Sequence, residues 1–140
     1  MKKLLFMALA VFMVIGVFSS VLAEDKAAGK VIAYYFHGAF RCATCTNMEK
    51  FAREAVETNF KDALRSGELE FKAVNVEEKG NEHFVKDYQL YTKSLILSLV
   101  KDGKEVTSKN LDKIWEYSRD QQKFIDYVTS EIHAFMKGAQ

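Results

Sequence analysis

The chain has 140 residues, with 20 Lys and Arg against 19 Asp and Glu, and a formal net charge of +1. Such neutrality gives no support to nucleic-acid binding, which would call for a basic face. Two cysteines do not make a disulfide framework, and there is no proline anywhere in the chain.

Met1, Lys2 and Lys3 form a short basic start, and residues 4–18 are apolar apart from Gly16. Ser19, Ser20, Val21 and Ala23 then supply small residues and a Val-x-Ala ending suited to cleavage. That layout predicts a signal peptide over residues 1–23. The alternative is an uncleaved anchor, because residues 4–23 come close to the roughly 20 that a spanning helix needs. Either way the remainder is expected to be exported, periplasmic or facing outward on the cytoplasmic membrane. Residues 24–29 read as a flexible lead-in, and 30–140 as one domain long enough to hold its own core.

Residues 31–36, Val-Ile-Ala-Tyr-Tyr-Phe, are continuously apolar, the pattern of a strand buried on both faces. His37, Gly38, Ala39, Phe40 and Arg41 break the run, and Cys42-Ala43-Thr44-Cys45 follows. From Thr46 to Val56, Met48, Phe51, Ala52, Ala55 and Val56 recur at helical spacing. A C-x-x-C pair where a loop becomes a helix has a physical logic. Thiolate is the reactive form of cysteine, and unpaired amides at a helix start stabilise negative charge. The spacing also brings the sulfurs close enough to form and break a disulfide. In an oxidising compartment the pair is a redox couple, half of a metal site, or a static bridge.

Phe60, Ala63 and Leu64 continue or restart the helix, and Gly67 is a reasonable stop. Residues 69–76 predict a second strand, 77–80 an exposed turn, and 81–88 a short helix with Phe84, Val85 and Tyr88 on one face. Residues 94–100 are the second strongly apolar run, and Asp102-Gly103 centres a hairpin turn into an edge strand at 105–108. Leu111, Ile114 and Trp115 suggest a single helical turn folding onto the core. Ser118 to Gln121 looks like a capping box before the last helix. Phe124, Ile125, Val128, Ile132, Phe135 and Met136 form that helix's apolar stripe, with Gly138 as terminator. The order β-α-β-α-β-β-α implies a mixed sheet of about four strands with helices on both faces.

This order, with C-x-x-C heading the first helix, resembles the thioredoxin-like superfamily, a three-layer α/β fold, over nearly all of residues 30–137. The wording is similar to small exported thioredoxin-like proteins of the ArsF family. Tyr34-Tyr35-Phe36-His37-Gly38, Arg41-Cys42, Thr44-Cys45, Val74-Asn75-Val76 and residues 110–115 (Asn-Leu-Asp-Lys-Ile-Trp) carry that likeness. Some ArsF-like members are described as a nitrophenyl compound nitroreductase subunit, although nothing in this chain resembles a flavin or nicotinamide site.

The resemblance implies that Cys42 attacks a partner disulfide as thiolate and that Cys45 resolves the mixed disulfide. It implies protein thiols or disulfides as partners, a membrane redox protein among them, and no cofactor. Three positions depart from the superfamily pattern. Arg41 stands where an aromatic usually precedes the first cysteine, and its charge should favour a thiolate at Cys42. Phe36 falls at the place of a buried acid, which removes a proton acceptor for Cys45. Lys93, within Thr92-Lys93-Ser94, falls at the cis-proline that faces the cysteines. A cis bond before a residue other than proline costs about 2.5–4 kcal/mol, so a trans Thr92–Lys93 bond and a displaced loop are expected. Lys93 then extends beside Cys42 or into solvent.

The competing reading is a metal-binding or redox-inactive interaction module on the same fold. Cys42 and Cys45 would then hold a thiophilic metal or iron–sulfur cluster, with two further ligands drawn from a second copy. His37 either tunes the site or caps the loop; Arg41 activates the thiol or is solvated. Glu49 reads as a solvated helix residue, and Tyr34, Tyr35, Phe36, Phe40 and Phe51 as packing. His83 and His133 lie on predicted helices away from the motif.

Overall fold

A computed structural model describes residues 29–139; the predicted signal peptide and nearly all of the lead-in lie outside the described residues. The elements in chain order are β1 (Lys30–His37), α1 (Ala43–Asn59), α2 (Lys61–Ser66), β2 (Leu69–Asn75), α3 (His83–Asp87), β3 (Ser94–Lys101), β4 (Lys104–Asn110), a 3-10 turn (Asp112–Ile114) and α4 (Gln121–Ala139). The four strands form one sheet in the order β2-β1-β3-β4. β1 pairs parallel with β2, which requires the helical crossover through α1 and α2. It pairs antiparallel with β3, and β3 with β4.

Strand alternation sends Val31, Ala33 and Tyr35 to one face, where they join Met48, Ala52 and Val56 of α1 and Phe124, Val128 and Ile132 of α4 in the main core. Tyr34 and Phe36 go to the other face and meet Phe84 of α3 and Tyr88, the residue that caps it. The continuous apolar run of β1 is thus that of a central strand covered on both sides. The result is the thioredoxin-like three-layer fold, its mixed four-stranded sheet flanked by helices on both faces.

Local chemistry explains the boundaries. Phe60, buried and with φ −127° and ψ 35°, separates α1 from α2. Gly67 closes α2 at φ 81°, a left-handed conformation that glycine adopts without penalty. Asp102 and Gly103, at φ 52° and 73°, make the tight hairpin turn from β3 to β4.

Four local expectations are corrected. The last helix is capped by Asp120, whose carboxylate accepts from the Lys123 amide at 3.1 Å; Ser118 instead donates to the Trp115 carbonyl. Gly138 does not end that helix, which runs on to Ala139. Val85 is exposed rather than packed with Phe84 and Tyr88, because a helix this short turns only one side to the sheet. Phe40 is 76% exposed and so is not packing. Among the described residues, no helix is long and apolar enough to cross a membrane.

Candidate active site

The carboxyl end of β1 delivers residues 38–42 to the head of α1. Cys42 is the N-cap of that helix, in extended conformation at φ −79° and ψ 162°. The helix begins at Ala43, three residues earlier than expected, so Cys45 already lies in its first turn. Cys42 and Cys45 form a disulfide with their Cα atoms 5.1 Å apart. The Cys45 amide donates to the Cys42 sulfur at 3.2 Å. An N-cap acceptor satisfies one of the helix's orphan donors, and here that acceptor is the Cys42 sulfur.

The two cysteines differ sharply in environment. Cys42 is half-buried, whereas Cys45 is 2% exposed. Beneath Cys45, the hydroxyl of fully buried Tyr35 donates to its carbonyl at 2.7 Å. Burial pushes the Tyr35 hydroxyl far above its ordinary value, with Arg41 opposing and Glu49 adding to the effect. Tyr35 therefore stays a donor at physiological pH. Its hydrogen-bonding role was hidden inside an apolar run that reads only as core.

Arg41 turns back along α1 and pairs with Glu49. Its other terminal nitrogen is 3.5 Å from His37 Nε2. His37 Nδ1 lies 2.9 Å from the Gly38 carbonyl and donates to it, while Nε2 faces the Arg41 guanidinium. Arg53 donates to the second oxygen of Glu49 at 3.3 Å. Burial opposes ionisation of Glu49, but the bonds and charges of Arg41 and Arg53 outweigh it and hold the carboxyl below its ordinary value. The side chain of Glu49 is only 17% exposed, so the reading of a solvated helix residue is corrected. A partner arriving from the loop eight residues upstream leaves no trace in helical periodicity.

The segment at Thr92, Lys93 and Ser94 reaches the same end of the sheet, because Ser94 pairs with Phe36. All peptide bonds among the described residues are trans. The indole N–H of Trp115 donates to the Lys93 carbonyl at 3.0 Å, and Ser94 Oγ donates to the Thr92 carbonyl at 3.0 Å. A cleft of about 160 Å³ lies between this segment and the end of β1, lined by His37, Gly38, Glu77, Tyr91, Thr92 and Lys93. Tyr91 is 93% exposed. Phe36, at the expected place of a buried acid, is buried against Tyr34 and α3 on the opposite face from Tyr35.

A larger cavity of about 510 Å³ lies at the far end of α1, beside Asn59, Phe60 and His133, and contains neither cysteine. His133 packs at a tilt against Phe60 there, and His83 against Phe84 in α3. Among the described residues, no group of three or more His, Cys, Asp or Glu gathers closely enough to hold a metal ion.

No family model matches the chain, and no curated protein matches it. Among solved structures, it is similar to a thioredoxin from Fasciola hepatica at 23% identity and a TM-score of 0.41. That similarity covers 76% of this chain and 85% of the thioredoxin. By its own strand order, pairing and helix placement, the chain has a thioredoxin-like fold with a C-x-x-C disulfide at the head of its first long helix.

Proposed function

We propose that the protein is a thiol–disulfide oxidoreductase acting on protein partners, or an electron-relay protein using the same chemistry. The observation that carries this reading is the Cys42–Cys45 disulfide itself, with the more accessible sulfur at the N-cap and its companion buried one turn inside. In the reduced form, Cys42 thiolate attacks one sulfur of a partner disulfide. That S–S bond breaks, the partner's other sulfur leaves as thiolate, and a Cys42–partner mixed disulfide forms. Cys45 then loses its proton and attacks the Cys42 sulfur, closing the internal disulfide and releasing the partner's second thiolate. Two electrons pass from the dithiol to the partner, and the reverse sequence oxidises a partner dithiol.

The surroundings support these roles. The Cys45 amide and the helix start favour charge on Cys42. Burial and the Tyr35 anchor hold Cys45 in place to resolve. The segment at Thr92, Lys93 and Ser94, beside exposed Tyr91, supplies the surface that a partner would meet, with His37 and Arg41 tuning the thiol. The basic start, apolar run and Val-x-Ala ending of residues 1–23 support export, which would place the site in the periplasm or on the outer side of the cytoplasmic membrane, with a membrane redox protein as one partner class. Kinship with ArsF-like proteins rests on their shared residues alone.

The experiment is trapping. Cys45→Ser should accumulate a mixed disulfide with a model disulfide protein, released by reductant. Cys42→Ser should trap none and should lose all transfer. Equal trapping by both variants contradicts the assigned roles, and trapping by neither contradicts the function. Metal held stoichiometrically by anaerobically purified protein would favour the metal-binding reading instead.

A further inference from the structure

Glu49 stands four residues after Cys45 on α1, so the two side chains occupy adjacent turns of one helical face. A carboxylate thus enters the neighbourhood of the cysteines from α1, although β1 offers none at Phe36. Glu49 is held from two directions, by Arg41 from the loop and by Arg53 from the next turn of its own helix. Arg53 also contacts Glu57 at 3.8 Å and lies over the Phe71 ring at 4.8 Å, which fixes it against the helix. Tyr35 faces the same charges from β1.

Arg41 adopts this pose at a cost. Its Nε is buried and has no hydrogen-bond partner among the described residues, and a buried unpaired donor is unfavourable. The pairing with Glu49 offsets that cost and commits the guanidinium to a carboxylate. An arginine next to a thiol lowers the thiol's pKa by its charge. Here much of that charge is already opposed.

We propose that Glu49 is a positioning residue that holds Arg41 against α1 and opposes its charge, and so limits how readily Cys42 ionises and how oxidising the couple is. This rests on reading the site as a thiol–disulfide centre. Stabilising the thiolate stabilises the reduced form and makes the couple more oxidising. Glu49 works in the other direction, keeping the couple more reducing than the Arg41-Cys42 sequence alone implies.

The test is the apparent pKa of Cys42, from alkylation rate against pH in the Cys45→Ser background, together with the reduction potential of the intact couple in glutathione buffers. Glu49→Gln should lower the pKa by roughly 0.5–1 unit, the scale expected for removing one nearby unit charge. It should also shift the thiol–disulfide equilibrium about 3- to 10-fold toward the reduced form, up to about 30 mV. Arg41→Gln should raise the pKa, and in that background the effect of Glu49→Gln should shrink by at least half. Glu49→Asp, which keeps the charge, should stay near wild type. A Glu49→Gln pKa unchanged or raised, in protein whose thermal unfolding shows it folded, overturns the proposal. If that variant does not fold, Arg41→Gln decides: no rise in pKa overturns it. Failure of the wild-type couple to equilibrate with glutathione would instead remove the functional reading beneath it.

Discussion

The two faces of the sheet are built to different depths. On one, α1 and α4 bury Met48, Ala52, Ala55, Val56, Phe124, Val128 and Ile132 fully against β1, β2 and β3. Phe51 meets Phe124 edge to face at 5.7 Å across the two helices. On the other, α3 has five residues and buries none of them fully. It is held by the aromatic cluster of Tyr34, Phe36, Phe84 and Tyr88, and by Tyr88 donating to Glu105 of β4, which also accepts from Ser98. The difference assigns stability to the first face and compliance to the second. The disulfide rides on the deep layer, which holds both sulfurs and Tyr35 in register. The segment at residues 91–94, proposed above to meet a partner, follows α3 and hangs from the shallow one. Local opening follows buried apolar contact, so amides of α3 and of residues 89–93 should exchange with solvent before those of α1.

Substitutions on the two faces should differ most in their cost. Phe124→Ala should cost about 3–5 kcal/mol in denaturant unfolding, because a fully buried aromatic leaves a cavity. Phe84→Ala on the half-buried side should cost about half as much and spare the disulfide couple. Equal losses would mean that the two layers share stability evenly.

A smaller effect should appear in the charge chain over α1. Glu49→Gln should destabilise by about 1–3 kcal/mol at neutral pH, the worth of hydrogen bonds to a charged group. The folded-state carboxyl is held below its ordinary value, so its stabilisation is complete above about pH 4.3 and fades as pH falls through the lower folded value. Wild type and variant should therefore converge in stability under acid. A gap that persists there would mean that packing, not charge, is what the variant loses.

The smallest effect is expected at Tyr35→Phe, which removes one buried hydrogen bond, about 1 kcal/mol, and nothing else of the ring's packing. The variant should exchange the Cys45 and Thr46 amides faster, with α3 unchanged.

Much of this architecture is legible in the chain. Residues 31–36 and 94–100 announce central strands because a strand covered on both faces needs no polar side, and Gly67 and Asp102-Gly103 mark their turns by backbone conformation. The cysteines could be found because their three-residue spacing at a helix start brings the sulfurs within bonding reach. What escaped were pairings that cross between elements. Glu49 looks solvated until the loop brings Arg41 to it; Tyr35 looks inert until α1 places the Cys45 carbonyl above its hydroxyl. Trp115 belongs to the apolar spacing of residues 111–115, yet its indole reaches the Lys93 carbonyl. Asp120 and Ser118 are equally good caps by composition, and only the direction of the incoming chain chose between them.

Whether Cys42 and Cys45 form a reversible couple is read by a redox titration of the protein against glutathione with thiols counted at each point. A single two-electron transition is expected, with no free thiol at the oxidising limit and two at the reducing limit. Two thiols that persist under a mild oxidant, or a bridge that glutathione cannot open at any ratio, would contradict it.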